Sequence, residues 1–210
     1  MIKLEPPLHA PIARLCGVNT PPEAVVIASS RQIDEVIRSL AVSIQPWIDT
    51  QSESPVLLVA LLEGGRFYAD RLSEALKPIC SSPFERMDIK VSTRDGDGRP
   101  LESPEIRGDL SLIQGRRVLI VDDILDSGIT LRLTKECFDP LVQELRSTVL
   151  IQKDPPNASG NADPLRPTAD YVGLSFIDSR WFSGAGMDMP GDPEGRARNA
   201  ALVIAYPPVF

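Results

Sequence analysis

The sequence predicts an α/β fold: a twisted, mostly parallel sheet flanked by helices. Three observations carry this. Val56–Leu62 and Val118–Val121 are continuous apolar runs, the pattern of strands buried on both faces of a parallel sheet. Each run leads into a loop bearing glycine and then a helical segment, the order of a βα unit. The chain of 210 residues, 42% apolar and 24% charged, is long enough for one domain with a substantial core.

The elements follow in order. Residues 1–23 form a Pro-rich N-terminal arm with Pro6, Pro7, Pro11, Pro21 and Pro22. Proline fixes φ and lacks a donor, so the arm reads as extended. The domain proper is 24–210. Ala24–Ala28 is a short strand, and Ser29 with Gln32 fits a capping box. Ile33, Val36, Ile37, Leu40, Ala41, Ile44, Trp47 and Ile48 recur at helical spacing, which places Trp47 in the core. Pro46 is expected to kink or end that helix. Glu63-Gly64-Gly65 follows the strand Val56–Leu62 and opens a helix over Arg66–Leu76, stopped by Pro78. Met87–Ser92 is a third strand. Thr93–Asp109 is charged and turn-rich, and a loop of that length reads as a lid. Ser92, Thr93 and Arg94 stand at its base as candidates to touch a substrate on closure. Later strands are Ser147–Gln152, with Lys153 just past its C-terminal end, and Tyr171–Phe176. A polar, Pro-rich excursion, Asp154–Pro167, separates them.

The stretch that organises the chain is Val118–Leu131. Its strand delivers two carboxylates, Asp122 and Asp123, to the C-terminal end, where open α/β sheets bind ligands. Asp126-Ser127-Gly128-Ile129-Thr130 then forms a short loop with two hydroxyls, before a helix that runs to Phe138 and stops short of Pro140. A loop opening a helix presents free N–H groups and the positive end of the helix dipole to an anion.

That segment resembles the phosphoribosyl-pyrophosphate signature of type I phosphoribosyltransferases: an apolar strand, two acids, two apolar residues, Asp, a small hydroxyl residue, Gly, any residue, Thr. From Leu150 to Tyr206 the chain is similar to hypoxanthine-guanine phosphoribosyltransferases, above all the bacterial branch. The matching pieces are Leu150–Asp154, Ala169–Leu174, Gly184–Asp188 and Arg198–Ala201. The resemblance implies the type I phosphoribosyltransferase fold, with a small hood from residues 24–30 and 165–210. It implies purine salvage, in which a 6-oxopurine, hypoxanthine or guanine, joins ribose 5-phosphate with loss of pyrophosphate. In that role Asp126 serves as proton acceptor near purine N7. Ser127, Gly128, Ile129 and Thr130 hold the 5′-phosphate. Asp122 and Asp123 face the ribose hydroxyls, directly or through Mg²⁺, and Asp188 helps hold Mg²⁺ on the pyrophosphate. Glu63, Gly64, Gly65 and Arg198 contact the pyrophosphate. Lys153 donates to O6, Trp181 stacks on the base and the Phe182 backbone reads its edge. The chain departs from the family pattern at Glu63, often lysine or neutral, at Ala185, often aromatic, and at 191–195, Gly-Asp-Pro-Glu-Gly.

Composition narrows the alternatives. The net charge of −7 argues against a general nucleic-acid or anionic-membrane binder. A phosphoribosyltransferase-like regulator that senses phosphoribosyl pyrophosphate and binds nucleic acid stays open as a second class, as does a xanthine-preferring transferase. Uracil and orotate fit less well, because Lys153 and Trp181 match an oxopurine pocket. The lone histidine, His9, lies in the Pro-rich arm and reads as a surface residue, which excludes histidine triads and His-ligated zinc. Cys16, Cys80 and Cys137 are odd in number and far apart, consistent with a reducing, cytoplasmic setting. No apolar stretch is long enough to span a membrane. The expected partners are purine and phosphoribosyl pyrophosphate, within a homodimer or homotetramer.

Overall fold

A computed structural model of the chain describes residues 12–50, 54–94, 100–154, 166–178 and 180–207. His9, Pro6, Pro7 and Pro11, the tip of the expected lid and most of the Pro-rich excursion lie outside them.

In chain order the strands and helices are β1 (Arg14–Leu15), β2 (Val18–Asn19), β3 (Val25–Ala28), α1 (Ser30–Ile48), β4 (Val56–Leu62), α2 (Gly65–Leu76) and β5 (Phe84–Arg94). They continue with β6 (Pro100–Arg107), β7 (Arg117–Leu125), α3 (Ile129–Phe138), β8 (Glu144–Lys153), β9 (Tyr171–Phe176), β10 (Trp181–Ser183) and β11 (Val203–Tyr206). The main sheet runs β6-β5-β4-β7-β8-β9. Every pairing in it is parallel except β5 with the edge strand β6. This is the mostly parallel, helix-flanked architecture the sequence predicts.

Side-chain alternation explains why β4 and β7 are apolar throughout. Leu58, Ala60, Leu119 and Val121 join α1 and α2 in one core. Leu57, Val59, Leu61, Val118 and Ile120 join Leu131 and Phe138 of α3 in the core on the other face. Helix α1 buries the same eight side chains that its spacing marks out. Trp47 is among them, with the Arg117 and Arg146 guanidinium groups 4.5 and 5.0 Å from its ring centroid. Ser29 caps α1: its hydroxyl accepts from Gln32 N at 3.3 Å, while its own N–H donates to Gln32 Oε1 at 2.9 Å. Ser29→Ala removes half of this box and is expected to cost about 1 kcal/mol. For a domain of this size that lowers the thermal midpoint by roughly 2–4 °C, readable in a melt followed by circular dichroism.

Three expectations are corrected. The turn-rich stretch after Ser92 is not a simple loop. β5 runs on to Arg94, and β6 returns antiparallel, pairing Val91 with Ile106 and Ser92 with Glu105. Pro100 and Pro104 hid β6, yet an edge strand tolerates proline because one row of its amides needs no partner. The arm is not wholly extended, since β1 and β2 pair as a tight hairpin through Cys16-Gly17, both at positive φ. Pro46 lies inside α1, two residues before its end at Ile48. Lys153 is not past its strand but is the last residue of β8.

A second sheet, β10-β11-β3, is antiparallel throughout. One face joins the α1 core through Phe182, Val203 and Ala205. The other packs on the β1–β2 hairpin through Ile204, Tyr206, Leu15 and Val18. It carries Trp181 and Phe182 to the C-terminal end of the main sheet.

Candidate functional site

Strand β7 ends in a turn that α3 closes. Gly128 takes a left-handed conformation, φ +83°, which glycine adopts without steric cost. No side chain caps α3 at Gly128, and Ile129 N reaches Ser127 Oγ only at 3.5 Å. The first-turn amides of α3 are therefore free to receive an anion.

The Gly64-Gly65 loop packs directly on the end of β7. A Cβ at Gly64 would sit 2.2 Å from Asp123 Oδ2, and one at Gly65 would sit 2.6 Å from the Val121 carbonyl. Only glycine permits so close an approach. On the other side, the Gly184–Asp188 turn closes over Gly64, and a Cβ at Gly186 would meet the Gly64 carbonyl at 2.2 Å. Arg198 holds that turn, donating from Nη1 to the Gly186 carbonyl at 2.8 Å and lying 3.7 Å from an Asp188 oxygen.

These elements enclose a cleft of about 350 Å³. Asp122, Asp123, Asp126, Ser127, Gly128 and Thr130 line one wall, with Gly64 and Arg198 beside them. Lys153, Trp181, Phe182 and Asp188 line the rest. Most of the residues singled out from the sequence therefore meet in one place. Ile129, the first residue of α3, is 42% exposed and is not among the residues lining the cleft. Gly65 is buried beneath the cleft against β7. Glu63 is exposed and faces a neighbouring depression with Arg66, so it stands outside the cleft. Ser92, Thr93 and Arg94 end β5, and Val91 of that strand lines the cleft. The sequence reading overlooked the apolar wall of Val91, Ile124, Leu131 and Met187. Alternation along β5 and β7 was the available signal for it.

Lys153 is the most constrained group here. Its side chain is 7% exposed, yet its ammonium faces the cleft. Nζ donates to Asp126 Oδ2 at 3.2 Å and to the Arg180 carbonyl at 2.9 Å, and lies 5.1 Å from the Phe182 ring centroid. Arg180 is fixed in turn by a two-pronged pair with Asp178, 3.1 and 2.7 Å. An ammonium has three donors, so among the described residues one is left over. Trp181 is 41% exposed, while Phe182 is buried beside it.

Asp122 and Asp123 are adjacent and desolvated. Burial, then the neighbouring charge of Asp123, pushes Asp122 well above the usual carboxylate range. Burial also pushes Asp123 up, to about 6, against the opposing pull of hydrogen bonds and of Arg198. Two crowded acids of this kind gain from a cation. Among the described residues no three His, Cys, Asp or Glu side chains converge to hold a metal ion unaided. The donors present suit Mg²⁺, which takes one or two carboxylates and completes its shell with water and substrate oxygens.

Comparison with known proteins agrees with this geometry. The family profile described as "Phosphoribosyl transferase domain" matches residues 28–188. Hypoxanthine-guanine phosphoribosyltransferase of Aquifex aeolicus is 29% identical over 141 residues, 65% of this chain and 71% of that protein. Bifunctional protein pyrR of Enterococcus faecalis is 29% identical over 128 residues, 60% of this chain and 68% of that protein. Among solved structures, a hypoxanthine phosphoribosyltransferase from Staphylococcus aureus superposes with a TM-score of 0.69 at 23% identity, covering 87% of this chain and 91% of that one. The Trypanosoma cruzi enzyme gives 0.66 at 23%, covering 88% and 97%. At these identities the superpositions establish the fold.

Proposed function

The chain belongs to the phosphoribosyl transferase domain family, and on that premise we propose that it transfers a phosphoribosyl group from phosphoribosyl pyrophosphate to a 6-oxopurine, hypoxanthine or guanine. The observation that carries the choice of base is the spare donor on Lys153. Adenine carries an amino group where a 6-oxopurine carries an acceptor oxygen, so the buried ammonium favours the oxopurine. The Aquifex relative bears the name of an enzyme of this kind.

In this reading the second sheet is the hood over the base, and Trp181 stacks on the purine face. The 5′-phosphate rests on the amides of residues 127–130. The Asp122–Asp123 pair faces the ribose hydroxyls, and Gly64 with Arg198 flanks the departing pyrophosphate. As the bond from ribose carbon 1 to pyrophosphate breaks, positive charge develops on the sugar and the base forms the new bond. Asp126, within reach of Lys153 at the cleft mouth, accepts the purine proton. Asp122, Asp123 and Asp188 would hold Mg²⁺, which when bound offsets the negative charge of the pyrophosphate.

Lys153→Gln separates base recognition from phosphoribosyl binding. Losing a charge-assisted hydrogen bond of about 1.5–3 kcal/mol lowers kcat/KM for hypoxanthine and guanine by about 10–150-fold. The KM for phosphoribosyl pyrophosphate stays within about twofold. Equal losses for both substrates reject the role. A panel of hypoxanthine, guanine, xanthine, adenine and uracil, with Mg²⁺ and phosphoribosyl pyrophosphate, tests the reaction: nucleotide from the oxopurines supports it, and turnover confined to uracil or adenine rejects it.

Relatives named Bifunctional protein pyrR match at similar identity, so a second reading stands beside the first: a phosphoribosyltransferase-like regulator that binds nucleic acid. The net charge of −7 weighs against it. Salt-dependent binding of RNA or DNA, titrated over ionic strength, distinguishes the two.

A further inference from the structure

We propose that Arg166 is a positioning residue for the transfer reaction, tying the ends of β7 and β8 together directly behind Asp126 and Lys153. The inference rests on the functional reading above. Arg166 stands near the end of the Pro-rich excursion, and its side chain is 16% exposed. Nη2 donates to the Leu125 carbonyl at 2.8 Å and also to the Lys153 carbonyl. Nη1 donates to Asp154 Oδ1 at 3.0 Å. Leu125 is the residue before the proposed proton acceptor, and Lys153 is the proposed base-recognition residue. One guanidinium therefore holds the backbone on both sides of the Lys153–Asp126 pair.

The sheet does this only in part. The β7–β8 ladder ends at Leu125 with Gln152, one residue short of Asp126 and Lys153, and the ladder partner of Lys153 is Phe176 of β9 on the other side. A planar fork can bridge two carbonyls that a single ammonium cannot hold in fixed geometry. Among the described residues the buried Arg166 Nε has no hydrogen-bond partner, and the grip on the two carbonyls comes from Nη2. The same segment backs the anion loop: a Cβ at Gly128 would meet Pro167 Cδ at 2.7 Å and Arg166 Cγ at 3.2 Å.

The test is a set of variants, Arg166→Ala and Arg166→Lys, read by crystallography and kinetics. In the Arg166→Ala structure the 3.2 Å Lys153–Asp126 contact is expected to open beyond about 4 Å, with the sheet otherwise unchanged. Its kcat with a 6-oxopurine falls about 10–100-fold, more than the KM for phosphoribosyl pyrophosphate changes. Guanidinium chloride restores part of the loss, whereas sodium and ammonium chloride at equal ionic strength do not. Arg166→Lys loses as much as Arg166→Ala, because charge without the fork is not enough. An intact Lys153–Asp126 contact, an unchanged kcat, or equal rescue by all three salts overturns the proposal. Should Arg166→Ala not fold, Arg166→Lys carries the same structural and kinetic measurements. Should the wild-type protein form no nucleotide, the functional reading fails, and the Lys153–Asp126 separation in the variant still decides the role of Arg166.

Discussion

Asp126→Asn lowers turnover by about 10²–10⁴-fold, the contribution of a positioned proton acceptor. The substitution is nearly isosteric. Asn keeps an oxygen that can accept from Lys153 Nζ at the 3.2 Å now observed, so the loop and the lysine stay where they are. What it loses is the capacity to take a proton. The Asp126 side chain is 56% exposed against 7% for Lys153, and the Asn oxygen still accepts from that buried ammonium, so the loss of stability is about 1 kcal/mol or less. The thermal midpoint therefore hardly moves while kcat collapses. Steady-state rates of nucleotide formation, beside a melt of the same sample, measure both. Turnover close to wild type removes Asp126 from the chemistry.

Gly186→Ala is expected to be the most damaging small substitution in the site. Gly186 has φ +104°, which a residue with a Cβ adopts at a cost of about 1–3 kcal/mol. The added methyl also meets the Gly64 carbonyl at 2.2 Å, a backbone atom that cannot step aside. Overpacking of that kind costs a further 1–3 kcal/mol or so. The combined loss, about 2–6 kcal/mol, lowers the thermal midpoint by roughly 4–24 °C. The effect reaches function because the Gly184–Asp188 turn carries Asp188 and takes the Arg198 guanidinium on the Gly186 carbonyl. Activity falls even at temperatures where the variant is folded. A midpoint within about 2 °C of wild type contradicts the packing described here.

The legible parts of this fold were those where one physical signal dominated. The eight buried positions of α1 follow from a strict helical period, and Ser29 with Gln32 announced its start. The apolar runs of β4 and β7 could only go inside. The chemistry of the anion loop followed from Asp126-Ser127-Gly128 placed between such a strand and a helix. Other parts lacked a local signal. β10 and β11 are three and four residues long and separated by a stretch of turns, so their pairing is visible only in three dimensions. β6 contains two prolines, which argue against a central strand but not against an edge. The site had the same division. Asp122, Asp126 and Lys153 stood at strand ends, where topology fixes direction. Glu63 did not, because the Gly64 approach to Asp123 turns the loop and leaves Glu63 in the neighbouring depression. Arg166 stands near the end of a long excursion whose length gave no indication that it returns to grip two strand ends.

A crystal structure with guanosine 5′-monophosphate tests the central claim most directly. The phosphate should rest on the amides of Ser127–Thr130 at the start of α3, with the purine against Trp181 and its O6 within about 3.2 Å of Lys153 Nζ. A nucleotide bound with its phosphate away from that turn, or with its base outside the Lys153–Trp181 end of the cleft, would contradict the account.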